Sequence, residues 1–245
     1  MSVSDKEIQY FAPPIIEGAL GNIPDGQENL LPIQQLAYPL SITIVEAPIE
    51  PPPPPGRPVE LRALVGLRGT ALAYAGSHFT TTPVQLPIAS EIHQNYFDAE
   101  GIYEVRVQVI FGGNPSDSNP AFFTVDKTPP NYGSPAASPV VPDEVIRDGI
   151  TTDYLDKNQD KVIIYIRQYL DQRPGDVIEL YFGSFDDPVS TAKVNDATSD
   201  TFIELKGDVA RKLGNGNWPV FYTLKDRAGN VSTQSRSKTI SVKLT

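Results

Sequence analysis

The chain has 245 residues, a formal net charge of −10 and no cysteine, which excludes disulfides, thiolate metal ligands and a cysteine nucleophile together. Acidity without any cluster of Lys and Arg excludes a nucleic-acid backbone as partner and suits an exposed or secreted protein. No run approaches the roughly 18 apolar residues of a membrane helix, so no membrane insertion is expected, and the start Met1-Ser-Val-Ser-Asp-Lys-Glu7 lacks the apolar stretch of a cleaved signal peptide.

The 24 prolines and 18 glycines are spread over the whole length with few helical patterns, the mark of many short strands joined by turns. The expected class is all-β. After an extension over residues 1–11, Pro13-Pro14 and Pro24-Asp25 precede an apolar strand at Ser41-Ile-Thr-Ile-Val45. The run Pro51–Pro55 then reads as a stiff exposed loop, with a polyproline ligand as its alternative. Val59-Glu-Leu-Arg-Ala-Leu64 and Val84-Gln-Leu-Pro-Ile-Ala-Ser90 follow as strands, the second leading into a short helix-like stretch. Tyr103, Val105, Val107 and Val109 alternate strictly with polar residues, so this strand puts one face on a core. Phe122-Phe-Thr-Val125 closes the first half.

The second half repeats this order. Pro129-Pro130 matches Pro13-Pro14, and Pro142-Asp143 matches Pro24-Asp25. The strands Val162-Ile-Ile-Tyr-Ile166, Val177-Ile-Glu-Leu-Tyr-Phe182 and Phe202-Ile-Glu-Leu-Lys-Gly-Asp208 match those at 41–45, 59–64 and 84–90. The alternating strand Trp218, Val220, Tyr222, Leu224 matches that from Ile102, and Thr239-Ile-Ser-Val242 matches Phe122–Val125. The offset stays at about 116–121 residues, which identifies a duplicated domain. The expected division is an extension at 1–11, domain 1 at 12–126 and domain 2 at 127–245, joined by a short, proline-stiffened link.

The segment Val220-Phe-Tyr-Thr-Leu-Lys-Asp-Arg-Ala-Gly-Asn-Val-Ser232, followed by Lys238-Thr-Ile-Ser-Val242, resembles the last hairpin of bacterial immunoglobulin-like repeats, with their Tyr-x-x-x-Asp-x-x-Gly-Asn-x-Ser pattern. Asp126-Lys-Thr-Pro-Pro130 looks like the linker between such repeats in large surface proteins and adhesins. The resemblance implies two tandem immunoglobulin-like antiparallel β-sandwich domains. The motif itself shapes a turn, with Asp226 as side-chain cap and Gly229 in the left-handed region. The first half departs from the pattern at Phe111-Gly-Gly-Asn-Pro-Ser-Asp-Ser-Asn-Pro120, whereas Asp98-Ala-Glu-Gly-Ile-Tyr103 looks like the entry to a tyrosine-corner strand.

Chemistry-bearing patterns are sparse. Only His78 and His93 are available for a triad or a zinc site, and no nucleophile elbow, phosphate loop or dinucleotide fingerprint occurs. Asp156-Lys-Asn-Gln-Asp160 has the Asp156, Asn158, Asp160 oxygen spacing that opens a calcium loop, but Lys161 replaces the turn glycine and Arg167 the bidentate glutamate. An exposed polar turn is the other reading. Trp218 fits a core better than a sugar platform; Tyr132, Tyr154 and Tyr169 are expected to be exposed. Asn230-Val-Ser232 fits a glycosylation sequon and carries little weight in a chain resembling bacterial repeats.

The expected function is therefore that of a monomeric, non-catalytic module without cofactor or metal, spacing or presenting a partner-binding surface in an extracellular or cell-surface assembly. The alternatives are a protein- or carbohydrate-binding module with its site in the sandwich loops, and a hydrolase built on a carboxylate pair.

Overall fold

The computed structural model describes residues 10–21, 27–183 and 186–244. It divides into two compact units, one ending at Lys127 and the next beginning at Thr128. Each is an immunoglobulin-like antiparallel sandwich with its own hydrophobic core.

Unit 1 contains β1 (Ile15–Ile16), β2 (Leu40–Ile44), β3 (Pro58–Leu67), β4 (Ala73–Thr81), β5 (Ile88–Ile92), β6 (Gly101–Phe111), β7 (Asn114–Asp117) and β8 (Ala121–Val125). One sheet has the order β1-β2-β5, and the other the order β4-β3-β6-β7 with β8 also on β6. Alternation decides which side chains are buried. Leu40, Ile42 and Ile44 from the first sheet meet Val59, Leu61, Ala63, Val65, Tyr103, Val105, Val107 and Val109 from the second. Each buried large apolar side chain contributes about 1.5–3 kcal/mol.

Unit 2 contains α1 (Asp143–Asp148), β9 (Ile150–Thr151), α2 (Thr152–Lys157), β10 (Lys161–Ile166), β11 (Val177–Phe182), β12 (Ser190–Lys193), β13 (Thr201–Lys206), α3 (Gly207–Leu213), β14 (Gly216–Lys225) and β15 (Lys238–Lys243). Strands β10 and β13 form one sheet; the other has the order β12-β11-β14-β15-β9, with β9 parallel to β15. Val162, Ile164 and Ile166 face Ile178, Leu180, Phe182, Val220, Tyr222 and Leu224 across the core.

Strand registers fix how the two copies correspond. Gly101 pairs with Val125, and Gly216 with Val242, so β6 and β8 correspond to β14 and β15. This places Phe123 and Val125 on Ile240 and Val242, in agreement with the closing strands matched by sequence. Elsewhere the apolar runs are misleading. The burial pattern aligns Leu40, Ile42 and Ile44 with Val162, Ile164 and Ile166, one residue from the match of Ser41 with Val162. A one-residue slip exchanges core and solvent faces, and an all-apolar run does not show which face is which.

The strand expected at Val84–Ser90 begins only at Ile88, because Pro83 and Pro87 have no N–H to contribute to a ladder. Pro13-Pro14 does not correspond to Pro129-Pro130. Ile15 pairs with Thr43 of β2 and Val140 with Tyr165 of β10, so the counterpart of Pro13-Pro14 is Ser138-Pro139. Pro24-Asp25 lies outside the described residues. Phe11, placed by sequence in the extension, belongs to the core of unit 1, and its backbone bonds Asp117 and Asn119.

Candidate functional site

The Asp226 turn is built as its sequence implies. The Asp226 carboxylate accepts from the N–H groups of Gly229 at 2.7 Å and Asn230 at 2.8 Å, and its other oxygen accepts from the Asn230 amide at 2.8 Å. Gly229 sits at φ 95°, where a side chain is strained. Gly229→Val is expected to destabilise unit 2 by about 1–2 kcal/mol in thermal unfolding, and wild-type stability would contradict this reading of the turn.

A second device recurs in both units with different residues. The Tyr103 hydroxyl donates to Ala99 O at 2.9 Å, four residues upstream. At the corresponding position in unit 2, the indole N–H of Trp218 donates to Gly214 O at 3.0 Å, again four residues upstream. Trp218 is thus a half-buried corner residue packed against the core, as its alternation with apolar neighbours implies. Tyr154 and Tyr169 are buried, contrary to their expected exposure, while Tyr132 is exposed. Tyr169 is drawn inward because its hydroxyl donates to the buried Asp176 at 2.9 Å. Burial, followed by the charge of Asp176, holds the Tyr169 phenol well above its usual pKa, so it stays a donor.

Asn158 and Asp160 are each turned to partners of their own. Asp156 belongs to α2; the Asn158 amide turns back to Tyr154 O at 2.8 Å, and Asp160 pairs with Arg211. No group of three or more His, Cys, Asp or Glu able to hold a metal occurs among the described residues. A calcium site saturated 100-fold above its dissociation constant would add about 2.7 kcal/mol to stability. The expected result is no change in melting temperature of the chain on adding millimolar calcium, and a rise of several degrees reversed by chelator would contradict it.

His78 lies on β4 opposite Leu61, and His93 caps a single 3-10 turn through Nδ1. Neither imidazole hydrogen-bonds a serine or a carboxylate among the described residues, so no triad is assembled. The Pro51–Pro55 loop is tied at its end to unit 1, since the Thr82 hydroxyl donates to Pro54 O at 2.5 Å.

A groove of about 450 Å³ lies between β12 and β13 in unit 2. Among the described residues β12 pairs with β11 alone and β13 with β10 alone, so each leaves one edge without a partner strand. Its lining includes Thr191, Lys193, Asn195, Thr201, Phe202 and Lys206. One end is held rigid by the loop at 195–200. The Gln172 amide donates to Asp196 O and Ser199 O at 2.8 Å, and Gln168 bonds Ala197 O and the Asp200 carboxylate. Hydrogen bonds from Thr198 N–H, the Thr198 hydroxyl and the Ser199 hydroxyl hold the Asp196 carboxyl below its usual pKa. No short motif announces this groove in the sequence; what marks it is Phe202, an aromatic on the solvent face of an otherwise alternating strand.

The outer face of β10 and β13 continues from the groove. Tyr165 and Phe202 are directly opposite each other and 47% and 63% exposed. In unit 1 the corresponding pair is Thr43 opposite Ala89. The copies therefore agree in their cores and differ on this face.

No protein-family model matches the chain, and no curated protein matches it. Among solved structures, the chain is similar to part of a 1.5-MDa bacterial ice-binding adhesin, with 13% identity and a TM-score of 0.39 over 96% of this chain and 66% of that one. It thus spans about two thirds of that adhesin structure. It is also similar to fibronectin(III)-like modules of Clostridium thermocellum CbhA, with 14% identity and a TM-score of 0.42 over 94% of both chains. The human OSCAR ligand-binding domain shows 14% identity and a TM-score of 0.36 over 95% of this chain and all of that one. None of these values reaches a TM-score of 0.5, and the sandwich architecture is read from the strand pairing itself.

Proposed function

We propose that the chain is a non-catalytic tandem module that presents a ligand-binding face on unit 2 within a larger extracellular or cell-surface assembly. The observation that carries this reading is the difference between the copies. Their interiors are matched, yet Tyr165 and Phe202 replace Thr43 and Ala89 at corresponding solvent-facing positions. A solvent-exposed aromatic pair costs solubility without strengthening a core, and such patches mark interaction sites. The carboxylates of the adjoining groove are engaged by their own neighbours, which speaks against acid–base chemistry there. The stiff link at Asp126–Pro130 suits the spacing part of the role.

Glycan and protein arrays probed with the intact chain and with a Tyr165→Thr, Phe202→Ala variant test this. Binding by the parent that is lost in the variant supports the reading. Silence on both arrays leaves only a spacer.

A further inference from the structure

We infer that β4, an outer strand of unit 1, pairs antiparallel with β4 of a second copy of this chain, joining two chains edge to edge. The inference goes beyond the binding face of unit 2 and does not depend on it. It starts from how each sheet edge is protected. An unpaired edge offers N–H and C=O groups to any strand, and proteins blunt such edges with charge, proline or shortness. Among the described residues, β1 and β9 are two residues long, and β8 is bridged at Thr124 by Leu30. β5, β10, β12 and β13 carry Glu91, Lys161, Lys193 and Glu204, and β7 carries Pro115. β4 differs from all of these. Its nine residues, Ala73-Tyr-Ala-Gly-Ser-His-Phe-Thr-Thr81, pair with β3 alone and include no proline and no Asp, Glu, Lys or Arg.

The register shows which backbone groups this edge offers. Thr82 N donates to Arg57 O at 2.9 Å, and the pairs from Pro58 with Thr81 to Ala63 with Gly76 continue in step with that bond. Alternation then turns the N–H and C=O groups of His78 and Thr80 toward β3, and those of Ser77, Phe79 and Thr81 outward. The one irregularity of the ladder falls between Ala63 and Leu64 and leaves 77–81 regular. Phe79 stands in the middle of that stretch and is 73% exposed, more than any other large apolar side chain among the described residues.

Self-complementarity and charge favour a second copy as the occupant. Two antiparallel copies of 77–81 about a two-fold axis at Phe79 satisfy the outward groups of both chains. They also set Phe79 opposite Phe79 of the partner subunit, an aromatic cross-strand pair. Residues 1–127 hold 6 Lys and Arg against 14 Asp and Glu, so two copies of unit 1 repel each other over most of their surfaces. The β4 edge brings no like charges together, because Glu60, beside Phe79 in the sheet, is already paired with Arg62 at 2.8 Å. A pair formed in this way carries two unit 2 faces, which raises avidity for a repeating ligand.

The test is sedimentation equilibrium of the full chain from about 1 μM to about 1 mM. The mass is expected to rise from one chain toward two, and to do so at lower concentration when salt screens the repulsion. Phe79→Lys, which sets two lysines face to face, should need more than about tenfold higher concentration to pair, with its melting temperature unchanged. Phe202→Lys, on the exposed face of unit 2, should pair as the parent does. A parent that keeps the mass of one chain throughout would overturn the inference. Undiminished pairing of Phe79→Lys would overturn the edge assignment, as would pairing lost in Phe202→Lys. Growth past two chains would overturn the closed two-fold arrangement.

Discussion

Replacing Asp176 by Asn is expected to flatten the pH dependence of unit 2 between about pH 4 and pH 6. Asp176 is 1% exposed; its Oδ2 accepts from the Tyr169 hydroxyl at 2.9 Å and from Arg173 N at 3.0 Å, while Oδ1 has no hydrogen-bond partner. Burial pushes its pKa from 3.8 up to about 6, against the lowering effects of those hydrogen bonds and of Arg227. Because the folded state holds this proton more tightly, the group's stabilising contribution is complete below pH 3.8. That contribution is lost as pH rises through about 6. The loss amounts to about 3 kcal/mol at 1.36 kcal/mol per unit. In Asp176→Asn the amide oxygen keeps both hydrogen bonds and no proton is exchanged. Thermal unfolding of parent and variant from pH 4 to pH 8 should therefore give curves that diverge across this window, with the parent falling relative to the variant. Parallel curves would contradict the assignment.

Ser118→Ala and Ser235→Ala are each expected to destabilise their own unit by about 1–3 kcal/mol. The two serines are corresponding buried residues that make the same three bonds. The Ser118 hydroxyl accepts from Val107 N at 2.9 Å and donates to Asn119 O at 2.8 Å, and its N–H bonds Val107 O. The Ser235 hydroxyl accepts from Tyr222 N at 3.0 Å and donates to Arg236 O at 3.2 Å, and its N–H bonds Tyr222 O. Each hydroxyl gives an acceptor to a core-strand N–H that has lost its usual ladder. Alanine leaves that donor buried and unmatched. A melting-temperature drop of several degrees confined to the mutated unit is the expected reading. Ser116→Ala, at an exposed position on β7, should stay within about 0.5 kcal/mol. Equal behaviour of Ser116→Ala and Ser118→Ala would show that the buried hydroxyl does no such work.

The class and the strand succession were legible because alternation at Tyr103–Val109 and Trp218–Leu224 reports a half-buried sheet directly. The Asp226 turn and the Tyr103 corner were legible because their bonds are local in sequence. The equivalence of Trp218 with Tyr103 was hidden by a change of residue type, although the hydrogen bond is the same. Helices α1 and α2 were missed; each is six residues long, too short for a 3.6-residue period to register. Tyr169 was misplaced because its burial depends on Asp176, a charged residue that reads as exposed until its partners are known. The groove between β12 and β13 depends on two edges from different sheets, which no sequence spacing reports.

Separate expression of residues 1–127 and 128–245, followed by scanning calorimetry of each, tests whether the two sandwiches fold autonomously. Each piece is expected to melt in one cooperative transition with equal calorimetric and van't Hoff enthalpies, and the intact chain to show both transitions. An unfolded or non-cooperative piece on either side of Thr128 would contradict it.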